Sequence, residues 1–314
     1  MPAADRGKQP GKACYRSAPA VHTTIPMTAR LTLNPDHVRR RFDKAAGTFD
    51  ASDFVHRVTR EGLFSRLEPL TIDARLAIDL GCGTGAALAD IRKRFRGSRV
   101  VGVDLSAGML RRASRRGGWW SRPSLVQADA RALPFADHSV DVVFANMLLP
   151  WIDDLPALGA EVSRVLRKEG LFAFATLGPD SLLELRRAWQ QVDSDEHVQT
   201  FPDMHDVGDA LLGCGLRDPV LDVDRLRVSY RDSGALLRDL AATATRNALA
   251  GRRATLTGRE RLHRFRSALE SSAPSGTLEL DLELVYGHCF GSGERAGGGI
   301  ATIDPGSIPL RKRG

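Results

Sequence analysis

The first half of the chain alternates short apolar runs with segments whose apolar residues recur at helical spacing. The apolar runs predict strands at residues 76–80, 99–104, 125–128, 140–145 and 171–176. The helical spacing predicts helices at 34–70, 86–95, 106–116 and 155–166, with Asn34 and Ser106 as helix N-caps. Because parallel strands need crossover connections, this alternation predicts an α/β fold with a parallel sheet and helices on both faces.

After residue 176 the alternation weakens. The pattern predicts helices at 181–192, 204–214 and 234–250 and a strand at 221–228. Residues 278–286 alternate apolar with polar side chains, which is typical of a half-buried strand that closes a sheet edge. We therefore expect a mostly parallel sheet of seven strands, with a C-terminal helical insertion that forms a cap.

A glycine-rich turn, DLGCGTG at 79–85, follows the first predicted strand and opens a helix. Glycines permit positive φ angles and let a ligand approach the backbone, at the edge where open α/β sheets bind ligands. The turn has three interpretations: a dinucleotide site that uses Ala86 as its last small residue, a GxGxG site for S-adenosyl-L-methionine, or a turn that serves packing only. Asp79 favours the second, because a carboxylate attracts a sulfonium or ammonium cation and repels a pyrophosphate.

Polar side chains also end the next three predicted strands. Asp104 can accept hydrogen bonds from ribose hydroxyls, or it caps the following helix. Asp129 can meet an adenine amino group, or it belongs to a turn. Asn146 follows the fourth strand. Trp151, five residues later, either forms the floor of a substrate pocket or lies in the core.

This set of residues resembles class I S-adenosyl-L-methionine-dependent methyltransferases, and the resemblance covers residues 34–175. It implies a Rossmann-like fold and S-adenosyl-L-methionine as the cofactor. The cofactor-binding residues that the resemblance implies are Asp79, Gly81, Cys82, Gly83, Gly85, Asp104, Leu105, Asp129, Ala130 and Asn146.

The segments that flank this core resemble a narrower family, the BioC-type malonyl-[acyl-carrier protein] O-methyltransferases of biotin synthesis. The matching motifs are RFDKAA at 41–46 with FD at 49–50, ATLGPDSL at 175–182, MHDVGDAL at 204–211, LTGR at 256–259 and VYGH at 285–288. Two departures concern the substrate side: Phe49 stands where the family usually has tyrosine, and residues 239–247 keep only the ends of the family pattern. The alternatives are a related methyltransferase-like assembly factor that modifies a protein partner, and a small-molecule methyltransferase such as a quinone methylase.

The family resemblance implies that the acceptor is the carboxylate of malonyl-acyl-carrier protein or malonyl-CoA. A carboxylate is already ionised at pH 7, so we expect positioning rather than a general base and assign no catalytic residue. Arginine is the usual partner of a substrate carboxylate. The substrate-binding candidates are Arg41, Phe49, Trp151, Arg246 and Arg252, and the arginines could equally lie on the solvated surface. Residues 252–264 could offer a basic face to an acidic carrier protein, or form an ordinary solvated helix.

The net charge of +7 lies mostly in the tails: residues 1–30 carry +4, residues 291–314 carry +2, and the stretch between them carries +1. A nucleic-acid-binding groove would place the charge in the folded part, so we expect no nucleic acid partner. No apolar run is long enough to span a bilayer, so we expect no membrane segment. The histidines lack metal-ligand spacing, so we expect no metal. The four cysteines suggest neither a disulfide framework nor a zinc site, which favours the cytoplasm.

These features predict three regions. Residues 1–30 form a disordered leader or, being basic and acid-poor, a transit peptide. Residues 31–290 form the methyltransferase domain, with a cofactor-binding core at 31–175 and a substrate-side cap with the sheet-closing strands at 176–290. Residues 291–314 form a disordered basic tail.

Overall fold

A seven-stranded sheet organises the part of the chain that the computed structural model describes, which is residues 32–116, 122–245, 247–251, 257–271 and 276–293. The strand order across the sheet is β3-β2-β1-β4-β5-β7-β6. The strands are β1 (Leu76–Leu80), β2 (Arg99–Asp104), β3 (Ser124–Gln127), β4 (Val140–Asn146), β5 (Leu166–Leu177), β6 (Leu216–Tyr230) and β7 (Leu278–Gly291).

Nine α-helices accompany these strands within the described residues. They are α1 (Pro35–Ala45), α2 (Phe54–Leu67), α3 (Leu88–Arg94), α4 (Ala107–Ala113), α5 (Leu155–Val165), α6 (Leu183–Gln190), α7 (Met204–Gly213), α8 (Ser233–Ala242) and α9 (Arg259–Ser271). None of them is long and apolar enough to cross a membrane.

The sheet is parallel from β3 to β5, and β7 then pairs antiparallel with both β5 and β6. The chain fills the sheet outward from β1 to β3 and then returns to place β4 on the other side of β1. In open α/β sheets a crevice forms where the strand order reverses, beyond the carboxyl ends of the strands. The fold therefore locates the candidate site at the ends of β1 and β4.

Both faces of the sheet are covered, as the sequence predicts. Ile78 and Val143 point into a core built with α5 and α7, whereas their neighbours Ala77 and Phe144 point into a core built with α2 and α3. A third apolar cluster joins α6, α8 and α9 to one end of β7, and this cluster is the cap. The Rossmann-like, mostly parallel seven-stranded fold with a C-terminal helical cap is thus confirmed.

Two predicted helices were too long. The segment 34–70 breaks after Ala45 into a 3-10 turn at Phe49–Ala51 before α2 begins. The segment 234–250 is helical only as far as Ala242, because Ala244 has a positive φ of 63° that ends the helix. Helical spacing alone did not show either break.

The predicted region boundaries are only partly visible. β7 runs to Gly291, one residue past the predicted end of the domain. The predicted leader at 1–30 lies outside the described residues, as does the predicted tail from residue 294 onward, so the three-region organisation stays a prediction.

Gly287 shows how tightly β7 packs against β5. A Cβ atom at this position would overlap the ring of Phe174, with Cε1 at 2.7 Å. We expect Gly287→Ala to lower the free energy of unfolding by about 1–3 kcal/mol through overpacking. Thermal denaturation checks this, with Gly213→Ala at the end of α7 as the control, because a Cβ there meets no atom within 4 Å. Equal midpoints for the two variants would contradict the packing role.

Candidate active site

A pocket lies at the carboxyl ends of four neighbouring strands. Gly81 and Gly83 follow β1, Asp104 ends β2, Asp129 follows β3, and Asn146 ends β4; all five line the pocket. Residues distant in sequence meet there because parallel strands deliver their carboxyl ends to one edge of the sheet.

The glycine turn is held against β2 and leaves open space above it. The backbone N–H groups of Gly81 and Cys82 both donate to the Val103 carbonyl oxygen, at 2.8 and 2.9 Å. Gly83 has a φ of 52°, and a Cβ atom on it would meet no atom within 4 Å. Its backbone therefore faces free space in the pocket, as a turn that receives a ligand requires.

Asp104 is fixed by backbone donors on both carboxylate oxygens. Oδ2 accepts from the Gly83 N–H and Oδ1 accepts from the Ser106 N–H, each at 2.8 Å. Desolvation nevertheless raises the pKa of Asp104 to about 6, and the nearby Asp43 adds to this effect against the two hydrogen bonds. Each oxygen retains acceptor capacity, so the carboxylate can still receive hydroxyl donors from a ligand in the pocket.

Asp79 is buried next to Asp104, and its Oδ2 atom has no hydrogen-bond partner among the described residues. Burial and, to a smaller extent, the negative charge of Asp104 together raise the pKa of Asp79 to about 7, and the positive charge of Arg60 opposes the shift. Two carboxylates with so little compensation favour a cation close by.

Asp129 carries an ion pair within its own turn. Arg131 binds it through Nε at 3.0 Å and Nη2 at 2.8 Å, and the Arg131 N–H donates to Oδ1 at 2.9 Å. The side-chain hydrogen bond from Arg131 is the main reason why the pKa of Asp129 lies below its usual value. The contacts of Asp129 are thus those of a turn residue, which was one of the two interpretations from the sequence. Asp129 and Arg131 nevertheless both line the pocket.

The segment before the sheet forms a lid over this pocket, defined here as α1 with the 3-10 turn at Phe49–Ala51. Val38, Phe42 and Phe49 of the lid line the pocket. Asp43 accepts hydrogen bonds at 2.7 Å from the Ser106 hydroxyl and from the Gly108 N–H. Asp50 of the same segment accepts one from Thr84 Oγ1 in the glycine turn, at 2.5 Å. The two aspartates of the motif at 41–50 therefore hold the lid against the start of α4 and the glycine turn, a role that sequence reasoning missed.

A second cavity of about 430 Å³ lies beside the first, under the cap. Apolar side chains of α6, α8 and α9 form much of its wall, including Leu185, Leu237, Leu240 and Phe265. No Lys, Arg, Asp or Glu is among its lining residues in the described part of the chain. We call it the acyl cavity below, because its apolar wall suits an uncharged chain.

Three residues line both cavities: His56, Met147 and Trp151. The Nδ1 atom of His56 is buried without a partner among the described residues, and the ring packs edge-on against Phe49 at 4.8 Å between centroids. Burial lowers the pKa of His56 to about 4; the positive charge of Arg60 contributes and Asp239 opposes. A neutral imidazole therefore stands at the junction, able to donate one hydrogen bond. Sequence reasoning missed His56, since a single histidine on a helix carries no spacing signal.

The structure brings together nine of the predicted site residues in the first pocket: Gly81, Gly83, Asp104, Leu105, Asp129, Ala130, Asn146, Phe49 and Trp151. Asp79 is buried on β1 just before the turn and is not among the residues that line the pocket. Two others are internal: Cys82 is buried against Gly102, and a Cβ on Gly85 would approach Ala113 and Leu88 at 3.0 Å.

Among the predicted arginines, Arg41 lies on α1 and lines neither cavity. Arg246 and Arg252 lie outside the described residues, so their part in substrate binding stays a prediction. Of the predicted basic face, Arg261 is paired with Asp193 and Asp195.

One cluster brings potential metal ligands within 4.8 Å of one another, although their sequence spacing gave no sign of it. It consists of Asp193, Asp195 and His197. Arg261 contacts both carboxylates, and His197 Nε2 lies 2.8 Å from Asp193. An arginine therefore occupies the position from which a cation would neutralise these acids.

The raised pKa of Asp79 predicts a dependence of stability on pH. Its folded pKa of about 7 exceeds the ordinary value of 3.8, so the folded protein binds more protons than the unfolded chain between these values. Stability from this group is therefore lost as the pH rises from about 4 to about 7. We compare the free energy of unfolding of Asp79→Asn with that of the parent. The difference, variant minus parent, should be about 1–3 kcal/mol larger at pH 8 than at pH 4.5. Urea denaturation at both pH values measures this, with the exposed Asp209→Asn as control; the same pH dependence in Asp79→Asn and the parent would contradict it.

Comparison with known proteins places this geometry among methyltransferases. Residues 78–174 match the family model described as a methyltransferase domain. A malonyl-[acyl-carrier protein] O-methyltransferase of Halorhodospira halophila is 40% identical over 282 residues, covering 88% of this chain and 96% of the relative. The protein of the same name from Methylovorus sp. is 40% identical over 259 residues, covering 81% of this chain and 88% of the relative.

Solved structures share the fold at low sequence identity. The YcgJ protein of Bacillus subtilis superimposes with a TM-score of 0.53 at 14% identity, covering 75% of this chain and 98% of that chain. A methyltransferase-like protein of Bacillus halodurans gives a TM-score of 0.53 at 15% identity, covering 74% and 97%. These likenesses concern the fold alone.

Proposed function

Because this chain belongs to the malonyl-[acyl-carrier protein] O-methyltransferase family, a family of S-adenosyl-L-methionine-dependent methyltransferases, we propose that it methylates the free carboxylate of a malonyl thioester in biotin synthesis. The thioester is carried by acyl carrier protein or coenzyme A. One observation carries the assignment beyond the family: a cavity with acidic side chains and a mostly apolar cavity, whose described wall has no Lys, Arg, Asp or Glu, meet at His56, Met147 and Trp151. A methyl donor in one and an acyl arm in the other would meet at that junction.

The residues of the first pocket fit S-adenosyl-L-methionine. Asp104 has spare acceptor capacity for ribose hydroxyls, and the open space above Gly83 allows a ligand to approach the backbone. Asp79 Oδ2 and Asn146 Oδ1 are buried and have no partner in the described part of the chain, and such acceptors suit a cationic group. Asp129 and Ala130 would lie at the adenine end. These unsatisfied acceptors support the assignment, because buried polar atoms in native proteins normally have a partner.

When bound, S-adenosyl-L-methionine supplies a methyl group on a positively charged sulfur. The malonyl carboxylate is already a nucleophile at pH 7, so the chain needs to orient it and exclude water. His56, neutral because of its low pKa, can donate one hydrogen bond to the carboxylate without neutralising it. Met147 and Trp151 exclude water at the junction, which strengthens the attraction between the anion and a cation. Once the carboxylate becomes an ester it loses its charge, so its hold on the site weakens.

The alternative, modification of an arginine on a protein partner, is less well supported. A guanidinium would call for an acidic side chain in the cavity that receives it. The described wall of the acyl cavity has none. A carboxylate can instead accept a hydrogen bond from His56 at the junction, and this donor favours carboxylate methylation.

Asp104 tests the cofactor assignment. We expect Asp104→Asn to weaken S-adenosyl-L-methionine binding by about 10- to 100-fold, since charge-assisted hydrogen bonds to ribose would be lost. Isothermal titration calorimetry measures the dissociation constant. Asp209→Asn, an exposed acid on α7 that lines neither cavity, is the matched control and should bind as the parent does. Unchanged binding by Asp104→Asn would remove this residue from the site.

His56 tests the assignment of the junction. We expect His56→Ala to raise KM for the malonyl thioester about 10-fold, because one hydrogen bond to a charged group is lost, while the dissociation constant for S-adenosyl-L-methionine stays within threefold. His56→Gln, which retains an N–H donor, should restore most of the lost affinity. Steady-state kinetics with quantification of the methyl ester measures both effects, and His205→Ala, at an exposed position on α7, is the control. An unchanged KM in His56→Ala would exclude the residue from substrate binding.

A further inference from the structure

A surface groove lies between α8, α9 and Thr48, at the edge of the lid. Its only charged lining residues in the described part of the chain are Arg238 and Arg266. Small or apolar side chains form most of the remaining wall. These are Gly234, Leu237, Ala241 and Ala242.

The two guanidinium groups converge on the start of α8. Relative to the position that a Cβ on Gly234 would occupy, Arg266 Nη2 lies 3.0 Å away and Arg238 Nη1 lies 3.3 Å away. Both nitrogens are thus close to a single point above the backbone, and Asp232 Oδ1 lies 3.0 Å from the same point. One phosphate group could contact both, and arginine side chains are well suited to phosphate oxygens.

Neither arginine has an ion pair or a hydrogen bond with a side chain or backbone group in the described residues, and Arg266 Nε is buried without a partner. One carboxylate, Asp232, offsets part of this charge: its Oδ1 accepts from the Ala235 N–H, its Oδ2 is paired with Arg231, and Arg238 helps to lower its pKa. Two neighbouring positive charges repel each other, and a buried unpaired donor costs free energy. Three guanidinium groups, including that of Arg231, thus surround the single carboxylate of Asp232, and an anion in the groove would offset the remaining positive charge.

The groove adjoins the acyl cavity. Leu237 lines both, and the next residue, Arg238, lines the groove only. A chain that leaves the acyl cavity past Leu237 would therefore reach the two arginines. In a malonyl thioester the uncharged pantetheine arm follows the acyl group, and a phosphate follows the arm.

We propose that Arg238 and Arg266 form a subsite for the phosphate at the end of the pantetheine arm. This inference rests on the proposed function, since it takes the acyl cavity to hold the thioester. The same phosphate chemistry occurs in acyl carrier protein and in coenzyme A. The subsite accordingly recognises the arm itself, whatever carries it.

Paired substrates that differ by one phosphate test the subsite: malonyl-phosphopantetheine and malonyl-pantetheine. The Arg238→Gln/Arg266→Gln double variant should raise KM for the phosphorylated substrate at least 10-fold and leave KM for the other within twofold. The kcat for both substrates and the dissociation constant for S-adenosyl-L-methionine should not change, which also verifies folding. Arg187→Gln, an exposed arginine on α6 that lines neither the groove nor the acyl cavity, is the matched control.

Equal KM changes for the two substrates, or none, would overturn the subsite while leaving the proposed function intact. A loss confined to intact malonyl-acyl carrier protein would also overturn it and would assign the arginines to acidic side chains of the carrier. If the parent methylates neither thioester, the proposed function fails. Calorimetry with phosphopantetheine and pantetheine then tests the subsite separately. The subsite is supported if the parent binds phosphopantetheine but not pantetheine and if the double variant binds neither. Any other result overturns it.

Discussion

Asp79 and Asp104 stand at the ends of two adjacent parallel strands, and the site depends on how their charges are compensated. Removing carboxylates from water is costly unless donors or cations replace the water. Asp104 receives two backbone N–H groups, whereas Asp79 Oδ2 has no partner among the described residues. The pKa values of both are raised as a result. A cationic methyl donor would supply the missing positive charge. The two buried carboxylates therefore lower the stability of the protein without a ligand and at the same time give it affinity for a cation.

The lid connects this electrostatic site to the substrate side. Asp43 and Asp50 fasten the lid to α4 and to the glycine turn, and Phe49 of the lid packs against His56 at the junction of the two cavities. The glycine turn, the start of α4, the lid and the junction are therefore connected by direct contacts. Phe49 stands where the family usually has tyrosine, and it keeps this packing but carries no hydroxyl. His56 is therefore the polar group beside Phe49 at the junction.

Local pattern predicted the sheet well because β1, β2 and β4 are short apolar runs that end at a glycine or a polar side chain, as at Gly81, Asp104 and Asn146. It did not predict what depends on residues far apart in the chain. The acyl cavity assembles from α6, α8 and α9, and His56 acquires its place only when α2 packs beside β4, where Asn146 Nδ2 donates to the His56 carbonyl. The end of α8 at Ala242 was missed for a different reason, since the positive φ of Ala244 is not favoured by its side chain.

The central claim is that buried carboxylates with raised pKa values bind the cationic donor in their ionised form. Calorimetric titration of the protein with S-adenosyl-L-methionine, in buffers of different ionisation enthalpy, measures the protons exchanged on binding. The account predicts proton release at pH 6.5, between the ordinary and the raised pKa values, and almost none at pH 8.5. Binding without proton release at pH 6.5, or proton uptake, would contradict it.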